Sequence, residues 1–180
     1  MTIAIPKHYL YRLDSSNRIT FVSPEWLRFA EANEAPELTE ACVVGKSIWD
    51  FITGEEVRTL YAAPYRNLRS HRAEIDIPFR CDSPTVIRQM TLTLRSLEAG
   101  AIECEGRLVW AQTRESVTVL VRDATRSHEL VPICGLCRRV FVQGEWVEVH
   151  EAIARRRLFN VAPVPRLEET ICRNCKSLVA

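Results

Sequence analysis

Glu74-Ile-Asp-Ile-Pro-Phe-Arg80 and Val86-Ile-Arg-Gln-Met-Thr-Leu-Thr-Leu-Arg-Ser-Leu97 are the stretches whose reading decides the fold. Apolar residues recur at every second position: Ile75, Ile77 and Phe79 in the first, and Met90, Leu92 and Leu94 in the second. A period of two puts these side chains on one face of a half-buried strand. Asp82-Ser83-Pro84 between the runs is turn chemistry, so they read as adjacent strands. Beyond them Gly100 turns the chain, and Ile102 to Ala111 reads as a third long strand. Val117 to Val121 is continuous and apolar, either a further strand or the start of a connecting helix.

Working back toward the N-terminus, Tyr9 to Asp14 and Arg18 to Val22 read as two strands joined by the turn cluster Ser15-Ser16-Asn17. Ser23 suits an N-cap with Pro24 at the first helical position, and Trp26, Phe29 and Ala30 mark one face of a helix running to Ala32. Gly45-Lys46-Ser47 leads to an apolar helical turn, Ile48 to Ile52. Thr53 and Glu56 form a capping-box pattern for a longer helix. Val57, Leu60, Tyr61 and Leu68 lie roughly along one stripe, and Pro64 predicts a kink or break. Strands, helices and then three strands imply an α+β domain: an antiparallel sheet with helices on one face.

The last fifty residues carry Cys134-Gly-Leu-Cys137 and Cys172-Arg-Asn-Cys175. Two residues between cysteines turn both sulfurs of a knuckle toward one point. Two knuckles supply the tetrahedral thiolate shell of structural Zn²⁺. Soft donors also suit an iron–sulfur centre. Between the pairs, Val140 to Val149 reads as a small hairpin, Glu151 to Phe159 as a basic helix and Ala162 to Pro165 as an extended return. Such a segment buries little apolar surface and is expected to need its metal to fold.

The chain of 180 residues is 47% hydrophobic and 26% charged with net charge +1, an ordinary globular composition. From Ala124 onward nine Arg and Lys face six Asp and Glu (+3), whereas the preceding part carries fifteen against seventeen (−2). Arg138, Arg139 and Arg173 beside the cysteines can offset the −2 of a Zn²⁺ held by four thiolates. The small net charge argues against general nucleic-acid or membrane binding. The N-terminus lacks signal-peptide features and no apolar run reaches the ~18 residues of a membrane span. With seven cysteines, this implies a reducing, cytoplasmic setting in which cysteines ligate metal rather than pair. Cys42, Cys81 and Cys104 are scattered singly and read as small buried apolar residues.

Several of these segments resemble a PAS domain: Tyr11-Arg-Leu-Asp14, Ile19-Thr-Phe-Val22, Trp26-Leu-Arg-Phe-Ala30 with Asn33, and Val44-Gly-Lys-Ser-Ile-Trp-Asp-Phe-Ile52. Phe79-Arg-Cys-Asp-Ser-Pro84, Arg88, Met90 and Trp146, with the cysteine pairs, are similar to small bacterial PAS proteins that close on a C-x-x-C segment. The resemblance implies a PAS-like sensor domain over residues 8–123 and a Cys₄ zinc-knuckle or ribbon-like module over residues 130–180. It implies a sensory or interaction module whose helical side and inner sheet face enclose a pocket. Trp49, Phe51, Tyr61, Phe79, Met90 and Leu92 are candidate pocket walls, and each also suits an ordinary core position. No photoadduct motif, kinase segment, cyclase motif or helix-turn-helix is found.

Catalysis has no signature in the chain: it lacks a nucleophile elbow, a phosphate-cradling glycine loop and a His-Glu-x-x-His motif, so a non-enzyme is expected. His71 reads as a solvated helix end rather than a haem ligand, and His128 and His150 as bystanders to a complete thiolate set. Arg155-Arg156-Arg157 reads as a solvated or internally paired face. The leading expectation is a signalling protein, homodimeric, binding a small ligand or a partner protein and stabilised by structural Zn²⁺. The alternatives are a nucleic-acid-linked regulator, with those arginines on phosphates, and a thiol redox sensor that releases zinc on oxidation.

Overall fold

The computed structural model describes residues 8–71 and 73–177. The chain divides into two units. One comprises the described residues up to Thr53 with Arg58–Pro78 and Met90–Val109; the other comprises Gly54–Val57, Phe79–Gln89 and the chain from Trp110 on.

The first unit is built on a five-stranded sheet in the order β2-β1-β5-β4-β3. Its strands are β1 (His8–Leu13), β2 (Ile19–Val22), β3 (Glu74–Arg80), β4 (Val86–Ser96) and β5 (Ile102–Thr113), the last three running on into residues of the second unit. β1 pairs antiparallel with β2 and with β5, the latter from His8↔Arg107 to Leu13↔Ile102. The turn between β1 and β2 follows from its residues: Asp14 Oδ1 accepts from Ser16 N (2.8 Å) and Arg18 N (2.9 Å), and Asn17 takes φ +62°. Asn and Asp tolerate that left-handed conformation best after Gly. The alternation read in β4 is real: Met90, Leu92 and Leu94 are buried, together with Ile77 of β3. The unit is an α+β fold on an antiparallel sheet.

Helix α1 (Pro24–Ala32) starts as its sequence dictates. The Ser23 hydroxyl accepts from Trp26 N (3.2 Å) and also from Leu10 N of β1 (3.2 Å), so one cap fixes both helix and strand. Phe29 of α1 lies 4.2 Å, ring to ring, from Tyr9. A short helix α2 (Glu40–Val43) and a 3₁₀ turn (Ile48–Asp50) precede α3 (Glu55–Ser70). Of the kink or break expected at Pro64, the break does not occur: α3 is one helix of 16 residues with Pro64 inside it. An interior proline costs about 3 kcal/mol. Tyr65 and Leu68, each 1% exposed, offset it at about 1.5–3 kcal/mol per buried side chain.

In the second unit the sheet order is β8-β7-β6-β9. It comprises β6 (Arg126–Cys134), β7 (Val140–Val142), β8 (Glu145–Val147) and β9 (Val164–Thr170), with α4 (Val149–Arg155) and α5 (Arg173–Lys176). The expected hairpin forms, with Gln143 and Gly144 at positive φ and Phe141 opposite Trp146. The basic helix is shorter than expected, ending at Arg155 before a separate 3₁₀ turn, Arg157–Phe159.

The parallel pairing of β6 with β9 was not expected. Parallel neighbours need a crossover of a dozen or more residues, and the β7–β8 hairpin and α4 supply it. Val117–Val121 is neither strand nor helix but contains a 3₁₀ turn, Thr118–Leu120. It delivers Val117 and Val119 to a core shared with Val131, Ile133, Val140, Val142, Val147, Val149, Ala152, Phe159 and Val164. The expectation that this region buries little apolar surface is thereby corrected: β-branched residues on one sheet face, with Val117, Val119 and Phe159 packed in the same cluster, give it a core. No helix among the described residues is long and apolar enough to cross a membrane.

Candidate metal centre

The β6–β9 register places the cysteine pairs. Cys134 is the last residue of β6 and lies opposite Thr170, the last residue of β9. Each strand leads into one knuckle, so two pairs nearly forty residues apart in sequence open at the same end of the sheet. In the first knuckle Cys134 N donates to Arg139 O (2.8 Å) and Arg138 N to Cys134 O (2.9 Å), with Arg138 at φ +59°. Gly135 N donates to Thr170 O (2.9 Å), which joins the two knuckles. A Cβ at Gly135 would sit 2.7 Å from Val57 Cγ2, so only glycine fits without displacing that side chain. In the second knuckle Cys172 caps α5, and its carbonyl accepts from Cys175 N (3.1 Å) and Lys176 N (3.0 Å).

The four sulfurs lie within 4.8 Å of one another. Cys137 Sγ and Cys172 Sγ are 3.7 Å apart. Zn–S bonds of ~2.3 Å in a tetrahedron give S···S edges of ~3.8 Å, so the group matches that shell in donor type and spacing. Cys134, Cys172 and Cys175 are buried and Cys137 half-buried. Cys134 is held as the thiolate, at about 4, by the Cys137 thiol and by N–H groups that include Cys172 N at 3.4 Å. The Cys137 thiol is pushed up, chiefly by its contact with Cys134, and Cys175 is pushed up to about 12 by burial and by Cys134. Four thiolates this close repel one another, and a divalent cation removes that repulsion.

Two groups missed in the sequence brace the site. Glu56, in the first turn of α3, accepts from Thr170 Oγ1, from Ile171 N (3.1 Å) and from Lys176 Nζ (2.8 Å). Lys176 first, then Thr170 and Ile171, lower its carboxyl to about 2. Its spacing from Thr53 suggested a local cap, and nothing local betrayed a partner more than a hundred residues away. The second group centres on Asp82, whose side chain has no exposure. It accepts from Arg80 (2.5 and 2.9 Å), Arg114 (3.4 Å) and Arg88 N (3.3 Å). Arg80 continues to Glu148 (3.2 Å), which also accepts from Arg139 (3.1 Å) beside the first knuckle. Arg80 N donates to Leu136 O (2.6 Å) between the two cysteines.

Arg138 pairs with Glu169 at 2.8 Å and Arg139 with Glu148, so these arginines are internally engaged rather than free counter-charges. His128 and His150 are exposed and outside the sulfur group. Arg155 pairs with Glu145 and Glu151, and Arg156 with Glu129, as the internally paired reading expected; Arg157 is exposed. Cys81 and Cys104 are raised by burial, Cys104 to about 12, but Cys42 is exposed, contrary to expectation.

The candidate pocket residues occupy different surroundings. Trp49 lines a groove of about 500 Å³ with residues of α3. Met90 and Leu92 are buried strand residues, Tyr61 lies 6.4 Å from Tyr65 ring to ring, and Phe51 is exposed. Phe79 belongs to the second unit. His71 is exposed at the end of α3.

No family model and no curated protein matches the chain. Fifteen solved chains do. One is the PAS domain of the Cronobacter turicensis RpfR quorum-sensing receptor in complex with C12:0, 13% identical, with TM-score 0.41, covering 61% of this chain and 100% of its own. Another is a domain of an HTR-like protein from Haloarcula marismortui, 12% identical, with TM-score 0.37, covering 57% of this chain and 98% of its own.

Proposed function

We propose that this protein is a sensor-type signalling protein. Its α+β unit receives a small ligand or a partner protein, and a structural Zn²⁺ on Cys134, Cys137, Cys172 and Cys175 fixes the C-terminal unit. The observation that carries the reading is the convergence of four sulfurs at the joint end of β6 and β9. Four cysteines close the shell and leave no open position for substrate, so the metal is structural rather than catalytic. It ties the two knuckles together where Gly135 N already meets Thr170 O. The sensor half rests on the PAS resemblance of the sequence and on the matching order of strands and helices. Elemental analysis with an absorption spectrum of the purified chain tests the metal. One zinc per chain with no visible bands supports it, whereas iron with sulfide-to-metal bands, or no metal, overturns it.

A further inference from the structure

We infer that the groove on α3 is a binding site for a small anion that joins a phosphate or carboxylate to a flat ring. The inference gives the ligand of the proposed sensor unit a chemistry, and rests on that reading only for the ligand's purpose.

Arg58, Arg66 and Arg69 line this groove with Asn17, Trp49 and Tyr65. Its volume, about 500 Å³, is in the range of small-molecule sites. Positions 58, 66 and 69 fall on one side of a helix, which concentrates three guanidinium groups over one concavity. Five arginines elsewhere, Arg12, Arg80, Arg95, Arg138 and Arg155, each sit on a carboxylate. Among the described residues, the three of the groove have no carboxylate. Arg58 Nε donates to Ile52 O (2.7 Å), and Arg69 donates to Gly100 O (2.9 Å), Asp14 O (3.0 Å) and Asn17 Oδ1 (2.8 Å).

Those bonds hold two guanidinium groups in place with their charge uncompensated, while the Arg66 guanidinium is exposed and has no hydrogen-bond partner among the described residues. Fixed forks with spare N–H groups match the geometry of a phosphate or carboxylate, and little side-chain freedom is lost on binding. The rest of the lining selects the body of the ligand. Trp49 is half-buried, with its ring centre 5.7 Å from that of the buried Tyr65, so a flat ring can stack on the indole while its acidic group meets the arginines.

Isothermal titration of the zinc-replete full chain at low ionic strength, with phenyl phosphate and with inorganic phosphate, tests this. Phenyl phosphate is expected to bind more tightly than inorganic phosphate. Arg66→Gln, at an exposed position where folding is not at stake, should weaken phenyl phosphate binding about tenfold, the loss of one charge-assisted hydrogen bond. Trp49→Leu should abolish the preference for the phenyl compound. Arg157→Gln, at an exposed arginine of the other unit, should change nothing. Absence of phenyl phosphate binding, equal affinity for both anions, or equal weakening by Arg157→Gln overturns the inference. Zinc content measured on the same samples keeps this failure separate from a failure of the metal reading.

Discussion

Asp82→Ala is a sharp perturbation of the second unit, because the carboxylate it removes is fully buried between Arg80 and Arg114, each 11% exposed. Deleting one member of a buried charge group leaves the others desolvated and uncompensated, at about 3–5 kcal/mol. Two features place this case at the lower end. Arg80 retains Glu148 at 3.2 Å, and Arg114 retains the carbonyls of Ser83 (2.6 Å) and Pro84 (3.2 Å). The expected loss is therefore about 3 kcal/mol, which lowers the midpoint of a transition of a unit this size by roughly 12–24 °C. Trp110 and Trp146 lie in the second unit and Trp26 and Trp49 in the first, so fluorescence of single-tryptophan variants assigns the transition. Asp82→Asn should fall between parent and Ala, since it still accepts from Arg88 N but carries no charge. A change below about 0.5 kcal/mol in Asp82→Ala, the size of an ordinary surface substitution, would refute the reasoning.

Gly135→Ala should destabilise by about 1–3 kcal/mol in urea, as its Cβ meets Val57 Cγ2 at 2.7 Å and Cγ1 at 3.3 Å. Adding Val57→Ala should recover part of that loss, a coupling that a double-mutant cycle reads directly. Glu56→Gln removes a carboxylate whose folded-state value, about 2, lies below its ordinary 4.5. A depressed carboxyl stabilises the fold above its unfolded value and loses that contribution as pH falls toward its folded value. The gap between parent and Glu56→Gln in urea midpoint should thus be constant above about pH 5 and close between roughly pH 4.5 and 2; an unchanging gap would count against the contact with Lys176, Thr170 and Ile171.

Local chemistry made much of the first unit legible. The Asp14–Asn17 turn, the Ser23 cap and the period-two faces of β3 and β4 each rest on neighbours in sequence, and each appears as read. The β6–β9 pairing was not legible. Pro132 and Pro165 lie inside those strands, charged residues interrupt both, and the partners are more than thirty residues apart. A parallel ladder between distant segments leaves little local trace, since its stability comes from the crossover that covers it. The cysteine tetrad was legible despite this, because metal-ligand spacing within a knuckle is local even when the two knuckles are not. Asp82, Glu56 and the α3 arginines fell between these cases. The spacing of Arg58, Arg66 and Arg69 at three and eight residues marks a helix face, whereas the partners of Glu56 are more than a hundred residues away and Asp82 joins its near neighbours Arg80 and Arg88 to the remote Arg114.

The central claim is a zinc ion held by sulfur alone, and X-ray absorption at the zinc edge of the purified full chain measures that shell directly. The account predicts four sulfur scatterers at ~2.3 Å and no light-atom ligand, with the signal lost from Cys172→Ser. A nitrogen or oxygen in the first shell, or an unchanged zinc signal in Cys172→Ser, would contradict it.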